Sequence, residues 1–333
     1  MTNDNKIDFV LIWVDGNDPK WRSEKAKYDP LMGDDQEVRF RDWNNLRYWF
    51  RGVEKYAPWV NNIYFVTWGH VPAWLNTDDP KIHVVNHKDF IPEKYLPTFN
   101  SHTIELNLHR IPGLCEQFVY FNDDMFITSP VKEEDFFRSG KPVDTYGLDC
   151  ICFTHVSAGA YNGNNIEIIN SNFKKDKCIS KDFSKWFSPK NGIKRIVKTA
   201  MLNSWPWFTG MYYDHLPGKY LKSSFEEVWQ KEHDFLDATC TDKFRNKLHC
   251  NQWVIKYWQF AKGICVPCSN KYGHCFHIDN DDVFSDVCNA ICREKYKMIC
   301  INDTPRTTDF QGKSAKIIEC FDRILPQKSN YEK

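Results

Sequence analysis

Phe118-Val119-Tyr120-Phe121-Asn122-Asp123-Asp124-Met125-Phe126-Ile127-Thr128-Ser129-Pro130 is the stretch on which a reading of this chain turns. It opens as a short apolar run of β-forming residues, as a buried strand does. It then breaks onto Asn122-Asp123-Asp124 and closes on a Ser-Pro turn signal. Open α/β sheets bind ligands beyond the carboxyl ends of their strands, which is where these two acids would stand. Adjacent carboxylates repel unless a proton or a cation intervenes. A divalent cation with oxygen ligands meets that need, and Mg²⁺ commonly uses one or two carboxylates together with substrate phosphates. Asn-Asp-Asp by itself also fits a solvated turn. The apolar residues on both sides tilt the reading toward a site.

Working outward, residues 7–14, IDFVLIWV, read as a first, central strand that again ends on acids in a turn, Asp15-Gly16-Asn17-Asp18-Pro19. Further strands are expected at 62–68 and 81–85. Between the first two strands the sequence predicts a charged helix over Arg39–Arg51, with Leu46, Trp49, Phe50 and Val53 on one side. Arg39, Arg41 and Arg47 stand near its start, and guanidinium groups suit phosphate oxygens. Ser101 is a candidate N-cap for a helix to about Arg110. His102, Glu105 and His109 share one face of that helix, a candidate wall for the Asn122–Asp124 turn. Strand–helix alternation to residue 130 implies an α/β, Rossmann-like, mostly parallel sheet flanked by helices. Residues 131–190 read as irregular. Helices are expected at 191–203, 219–231, about 242–260 and 314 to about 325. Met298–Asp303 repeats the pattern of an apolar strand ending on Asn-Asp. The division that follows is 1–137 for a Rossmann-like part, 138–190 for an irregular insertion, and 191–333 for a helical part completing the same domain.

Composition narrows the classes. The 333 residues carry 44 basic and 44 acidic side chains, so no global charge points to nucleic acid or to a membrane. The opening MTNDNKIDFVLIWVDG reaches Asp8 and Asp15 before any long apolar region forms, so no export signal is expected and the cytoplasm is the expected compartment. No run of about 18 apolar residues occurs, so no membrane span is expected. Aromatic residues make up 16%, which suits a deep core and sugar-stacking surfaces alike. The 13 cysteines are odd in number, and without an export signal reduced thiols are the default. Cys265, Cys268, His274, Cys275 and His277 are spaced like zinc ligands, though no second CxxC lies at ribbon spacing.

Four segments together resemble the Stealth family of sugar-1-phosphate transferases. They are Phe9–Gly16; Arg39-Phe40-Arg41-Asp42 through Asn122-Asp123-Asp124-Met125-Phe126; Tyr213-Asp214-His215-Leu216-Pro217 with the helix after it; and Ile299-Cys300-Ile301-Asn302-Asp303. That family includes bacterial capsule polymerases and the catalytic part of the lysosomal N-acetylglucosamine-1-phosphotransferase. The resemblance implies a GT-A-like core, a UDP-hexose or UDP-N-acetylhexosamine donor and a glycan acceptor. An acceptor hydroxyl would attack the phosphorus that bears the sugar, UMP would leave, and Mg²⁺ or Mn²⁺ would assist. Carried onto this chain, Asp123, Asp124, Asn302 and Asp303 become the metal ligands. His215 becomes the base, with Asp124 as its rival. Arg110 and Arg245 become catalytic cations, although Leu248-His249-Cys250-Asn251-Gln252 departs from the family's basic cluster there. Trp13, Asp15, Gly16, Arg39, Arg41, Asn45, Arg47, His102 and His109 become substrate-binding residues. Peripheral association with a capsule-synthesis complex is also implied. Two other readings stay open: a conventional metal-dependent glycosyltransferase releasing UDP, and a carbohydrate-binding protein without catalysis.

Overall fold

A computed structural model describes residues 6–28, 41–153 and 158–333. In chain order the elements are β1 (Ile7–Ile12), α1 (Pro19–Lys25), α2 (Leu46–Tyr56), β2 (Ile63–Thr67), β3 (Ile82–Asn86), α3 (Ser101–Asn107), β4 (Gln117–Phe121), β5 (Met125–Ile127), β6 (Phe137–Arg138), β7 (Lys141–Asp144), α4 (Ala158–Asn172), α5 (Lys175–Lys181), α6 (Phe183–Trp186) and α7 (Ile193–Leu202). They continue as β8 (Gly218–Leu221), α8 (Lys222–Lys231), α9 (His233–Thr241), α10 (Trp253–Ala261), β9 (Val266–Pro267), β10 (Gly273–His277), α11 (Asp281–Cys292), β11 (Met298–Asn302) and α12 (Phe310–Ile324).

The main sheet has the order β3-β2-β1-β4-β8. Its first four strands are parallel, and β8 runs antiparallel to β4 with Tyr220 opposite Phe118. β1, β2 and β4 are almost wholly buried, as their continuous apolar sequences require of strands covered on both faces. This is the mostly parallel α/β sheet that the alternation predicted. The chain steps outward from β1 to β3 and then crosses back to lay β4 on the other side of β1. The switch point of the sheet therefore lies between the carboxyl ends of β1 and β4, where such sheets open a crevice.

A second sheet, β10-β11-β5, begins where the first stops. The chain leaves β4, turns through Asn122–Asp124 and enters β5, which pairs antiparallel with β11. Met125 N–H donates to Asn122 O (3.1 Å) and Ile301 N–H to Asp124 O (2.8 Å), so the acidic turn is held between the two sheets. α2 packs against β5 closely enough that a Cβ on Gly52 would stand 2.6 Å from Ile127 O. Glycine in mid-helix costs about 1 kcal/mol relative to alanine, and here it permits the contact.

Several stretches differ from the sequence reading. The helix expected over 219–231 begins as strand β8 and becomes α8 only at Lys222, and Asn100 rather than Ser101 caps α3. The helix expected from Arg39 begins at Leu46, because Asn44 adopts a left-handed φ of 54° and its N–H is taken by Asp42 Oδ1 at 2.7 Å. Residues 131–190 contain β6, β7, α4, α5 and α6 rather than irregular chain. The asparagines of α4 lower its helix propensity. They instead join α4 to the 247–251 segment: Asn165 and Asn251 bond reciprocally, and Asn164 donates to His249 O. The helix expected over 242–260 is confined to α10, because Asp242, Asn246 and His249 tie the preceding residues into a hydrogen-bonded turn.

Candidate active site

The β1 turn is shaped by a residue the sequence did not single out. Asp15 N–H donates to His70 Nε2 (2.8 Å), and His70 Nδ1 faces Asp18 Oδ2 at 3.1 Å. Trp13 stacks on Phe65 and meets His70 edge-on, while Gly16 is buried and its carbonyl accepts from Arg22. The β4 turn faces this one across the switch point. Asp123 is open to water yet crowded by protein. That crowding first, then the charges of Asp124 and Asp42, pushes its carboxyl up to about 7. Burial also raises Asp42, with a contribution from Asp15. Asp15, Asp42, Asp123 and Asp124 thus form one acidic rim, in which Asp42 was missed because it read as part of a solvated helix face.

Asp124 holds the centre. Its Oδ2 lies 3.6 Å from His215 Nε2 and 3.3 Å from the Cys300 sulfur, and its buried Oδ1 has no protein partner. Burial opposes charge on His215. The Asp124 carboxylate, helped by Cys275 and Glu105, outweighs it and lifts the imidazole to about 9. Cys300 and Cys275 are direct partners on β11 and β10. The Cys300 thiol and His277 hold Cys275 below the usual thiol range. Cys300 carried no sequence signal, since a buried strand cysteine reads as core.

His215 is placed by its neighbour. Asp214 is buried against Lys256 (2.8 Å), which also meets Asp144 at 3.2 Å, and Lys219 donates to the Tyr272 hydroxyl at 2.7 Å. Burial works against the Asp214 charge, but Lys256 and Lys219 keep its carboxyl well below the ordinary range. This network pins the His215 turn to α10, β7 and β8. On the other flank the Tyr120 hydroxyl sits between Glu105 Oε1 (3.1 Å) and Asn122 Oδ1. Burial raises Glu105 to about 7 against the pull of Arg245, Tyr120 and His215.

The remaining expected site residues divide. Arg245 stands close enough to Glu105, Tyr120 and His249 to act on all three. His102 packs edge-on against Tyr161 and near His249. Asn302 closes β11 one residue beyond the Ile301–Asp124 bond. Arg41 and Asp303 find each other: Nε and Nη2 of Arg41 reach the two Asp303 oxygens at 2.9 Å each. The expected phosphate clamp and the expected metal ligand thus neutralise one another. His109 and Arg110 are held away from the turn, stacked on Phe225 and over Trp229 respectively. Arg47 lies over Trp74, and Asn45 is buried with its carbonyl bonded to Tyr48 N–H. Arg39 falls outside the described residues. The candidate zinc ligands split: Cys268 lies by Thr145 and Cys265 by Tyr146, while Cys275 faces His277.

The acidic rim fits a divalent cation. Asp124 offers a buried oxygen without a protein partner, and Asp123 a carboxyl whose charge its surroundings resist. Among the described residues Asp124, His215 and Cys300 place ligand atoms within 4.8 Å of one another. Asp303 stands outside this set, because Arg41 occupies both its oxygens.

Fold and site together give an α/β protein with a cluster of acids, a histidine and a cysteine at the switch point of a mostly parallel sheet. Residues 39–144 match the profile described as Stealth protein CR2, conserved region 2, and residues 5–33 match Stealth protein CR1, conserved region 1. The chain is 42% identical over its whole length to the capsular polysaccharide phosphotransferase WcwK of Streptococcus pneumoniae, all of which is covered. It is 40% identical to the receptor polysaccharide phosphotransferase WefC of Streptococcus gordonii, across 98% of this chain and 99% of that protein. Among solved structures it is similar to the galactosyltransferase LgtC in complex with donor and acceptor sugar analogues, with a TM-score of 0.43 at 10% identity over 95% of this chain and 96% of that one. The chain belongs to the Stealth family.

Proposed function

We propose that this protein transfers a sugar 1-phosphate from a UDP-hexose or UDP-N-acetylhexosamine to a hydroxyl of an acceptor glycan, in capsule or exopolysaccharide synthesis. The observation that carries this reading is the Asp124–His215 pair at the switch point, in a chain 42% identical to a capsular polysaccharide phosphotransferase. The acceptor oxygen forms a bond to the phosphorus that bears the sugar. The bond from that phosphorus to the bridging oxygen breaks, UMP leaves with that oxygen, and the sugar–oxygen bond stays intact. Such transfer depends on positioning, on cationic stabilisation of phosphoryl oxygens and on removal of the hydroxyl proton.

The β1 turn at Trp13–Gly16 binds the nucleotide. His215 accepts the acceptor's proton, and Asp124 orients the imidazole. At about 9 the imidazole is neutral in only about one molecule in a hundred at pH 7. The pairing of His215 with Asp124, which favours the charged imidazole, supports a second reading in which charged His215 holds a phosphoryl oxygen and Asp124 takes the proton. Arg245 supplies positive charge on the Glu105 side, and Arg41 reaches phosphate only by exchanging Asp303 for it. A Mg²⁺ or Mn²⁺ ion held by Asp123 and Asp124 would neutralise charge developing on the diphosphate.

Incubation with a panel of UDP-sugars and a capsule-derived acceptor, read by mass spectrometry, tests the assignment. UMP released together with a new phosphodiester is the expected result. Release of UDP would instead establish glycosyl transfer, and binding without turnover a carbohydrate-binding protein.

A further inference from the structure

The 174–207 stretch holds nine basic residues and two acidic ones, while the whole chain balances at zero. The rest of the protein therefore carries a net charge of −7, so the positive charge is concentrated in this one stretch. Its exposed lysines include Lys174, Lys177, Lys181, Lys190 and Lys194, with Lys198 joined to Asp149. Within it, α7 buries Thr199 and Leu202 and turns the opposite face outward. That face carries Ile193, Val197 and Met201, four residues apart along one helical stripe. They are 73%, 50% and 69% exposed, and Trp205 and Trp207 follow at 55% and 58%. Large apolar side chains left in water on this scale mark an interaction surface.

We infer that this α7–Trp207 face docks on an anionic lipid bilayer. An apolar stripe flanked by lysines, with tryptophans at its end, is the composition of a segment that lies in the headgroup plane. Tryptophan favours the membrane–water interface. Lysine stems extend along the apolar surface while their ammonium groups reach phosphate headgroups. Charge complementarity distinguishes this occupant from an uncharged apolar partner. Among the described residues no helix is long and apolar enough to cross a membrane, so attachment here is peripheral. The inner side of the same helix places Arg195 over the ring of Tyr212, three residues before His215. Docking therefore sets Tyr212 one helix thickness, about 10 Å, from the lipid surface.

Flotation of the full chain with vesicles tests the inference. It should float with phosphatidylglycerol–phosphatidylcholine vesicles, sink with phosphatidylcholine alone, and be released by high salt. Ile193→Ser with Met201→Ser should cut partitioning by about tenfold or more. Lys190→Gln with Lys194→Gln should do the same. Both variants should keep the wild-type melting temperature and full turnover of a soluble acceptor. Wild-type protein that floats with neither vesicle, or variants that float as well as wild type, overturn the inference. A wild-type dimer that Ile193→Ser with Met201→Ser turns into a monomer, with no flotation, would make this face a contact between two copies instead.

Discussion

Asp124 Oδ2 stands 3.6 Å from His215 Nε2, joining the turn after β4 to the turn before β8. The carboxylate outweighs the burial that opposes charge on the imidazole and keeps it protonated, and the same Asp124 oxygen faces the Cys300 sulfur at 3.3 Å.

Asp124→Asn keeps the shape of the turn and removes the charge. The variant should fold with an unchanged circular dichroism spectrum and lose turnover by about 10²-fold or more. EDTA should abolish wild-type turnover, and Mg²⁺ or Mn²⁺ should restore it. Undiminished activity of the folded variant in EDTA would remove both the metal and the carboxylate from the chemistry.

His215 should titrate near 9 when followed by NMR in metal-free protein, with its signal assigned from His215→Gln. The folded-state value is raised, so the stability supplied by the Asp124 pairing is present below about 6.5 and lost as pH rises through about 9. In Asp124→Asn the midpoint should fall, and saturating Mg²⁺ should lower it in wild type by drawing on the same carboxylate. A midpoint near 6.5 that neither change moves would mean the pair does not form in solution.

Glu105 is a buried acid whose carboxyl sits at about 7. The folded state holds its proton more tightly than the unfolded chain does. The contribution of this one group is therefore fully present below about 4.5 and is lost as pH rises through about 7, about 3 kcal/mol for a shift of this size. Glu105→Gln should flatten that part of the urea-unfolding profile. An unaltered profile would place the titrating group elsewhere.

Lys256 neutralises Asp214 and Asp144 inside the protein. Lys256→Met should cost about 3–5 kcal/mol, because it leaves two buried carboxylates facing Lys219 alone of this pair of lysines. The double variant Lys256→Met with Asp214→Asn should recover part of that loss. It should not recover turnover, since the ion pair positions His215. Full activity of the double variant would show that the His215 turn is held by other contacts.

Several parts of the architecture were legible along the chain. β1, β2, β4 and β11 announce themselves as short apolar runs ending on polar turns, because a strand covered on both faces must be apolar throughout. The acids of the β1 and β4 turns stand out for the same reason, at the edge of buried sequence. α4 was hidden because its asparagines serve tertiary hydrogen bonds that outweigh their poor helix propensity.

The sequence by itself determined which strands are central, that the acids of Asp15 and Asn122–Asp124 follow them, and the family to which the chain belongs. These depend on local pattern, in which neighbours along the chain carry the signal. Only the tertiary structure decided which charges meet. It paired Arg41 with Asp303, brought Cys300 and His215 to Asp124, set Asp42 beside Asp123, and drew His109 and Arg110 away to α8. Partners so distant in sequence are chosen by how the two sheets cross at the β4–β5 turn, and the energy of a charge depends on its surroundings in space rather than along the chain.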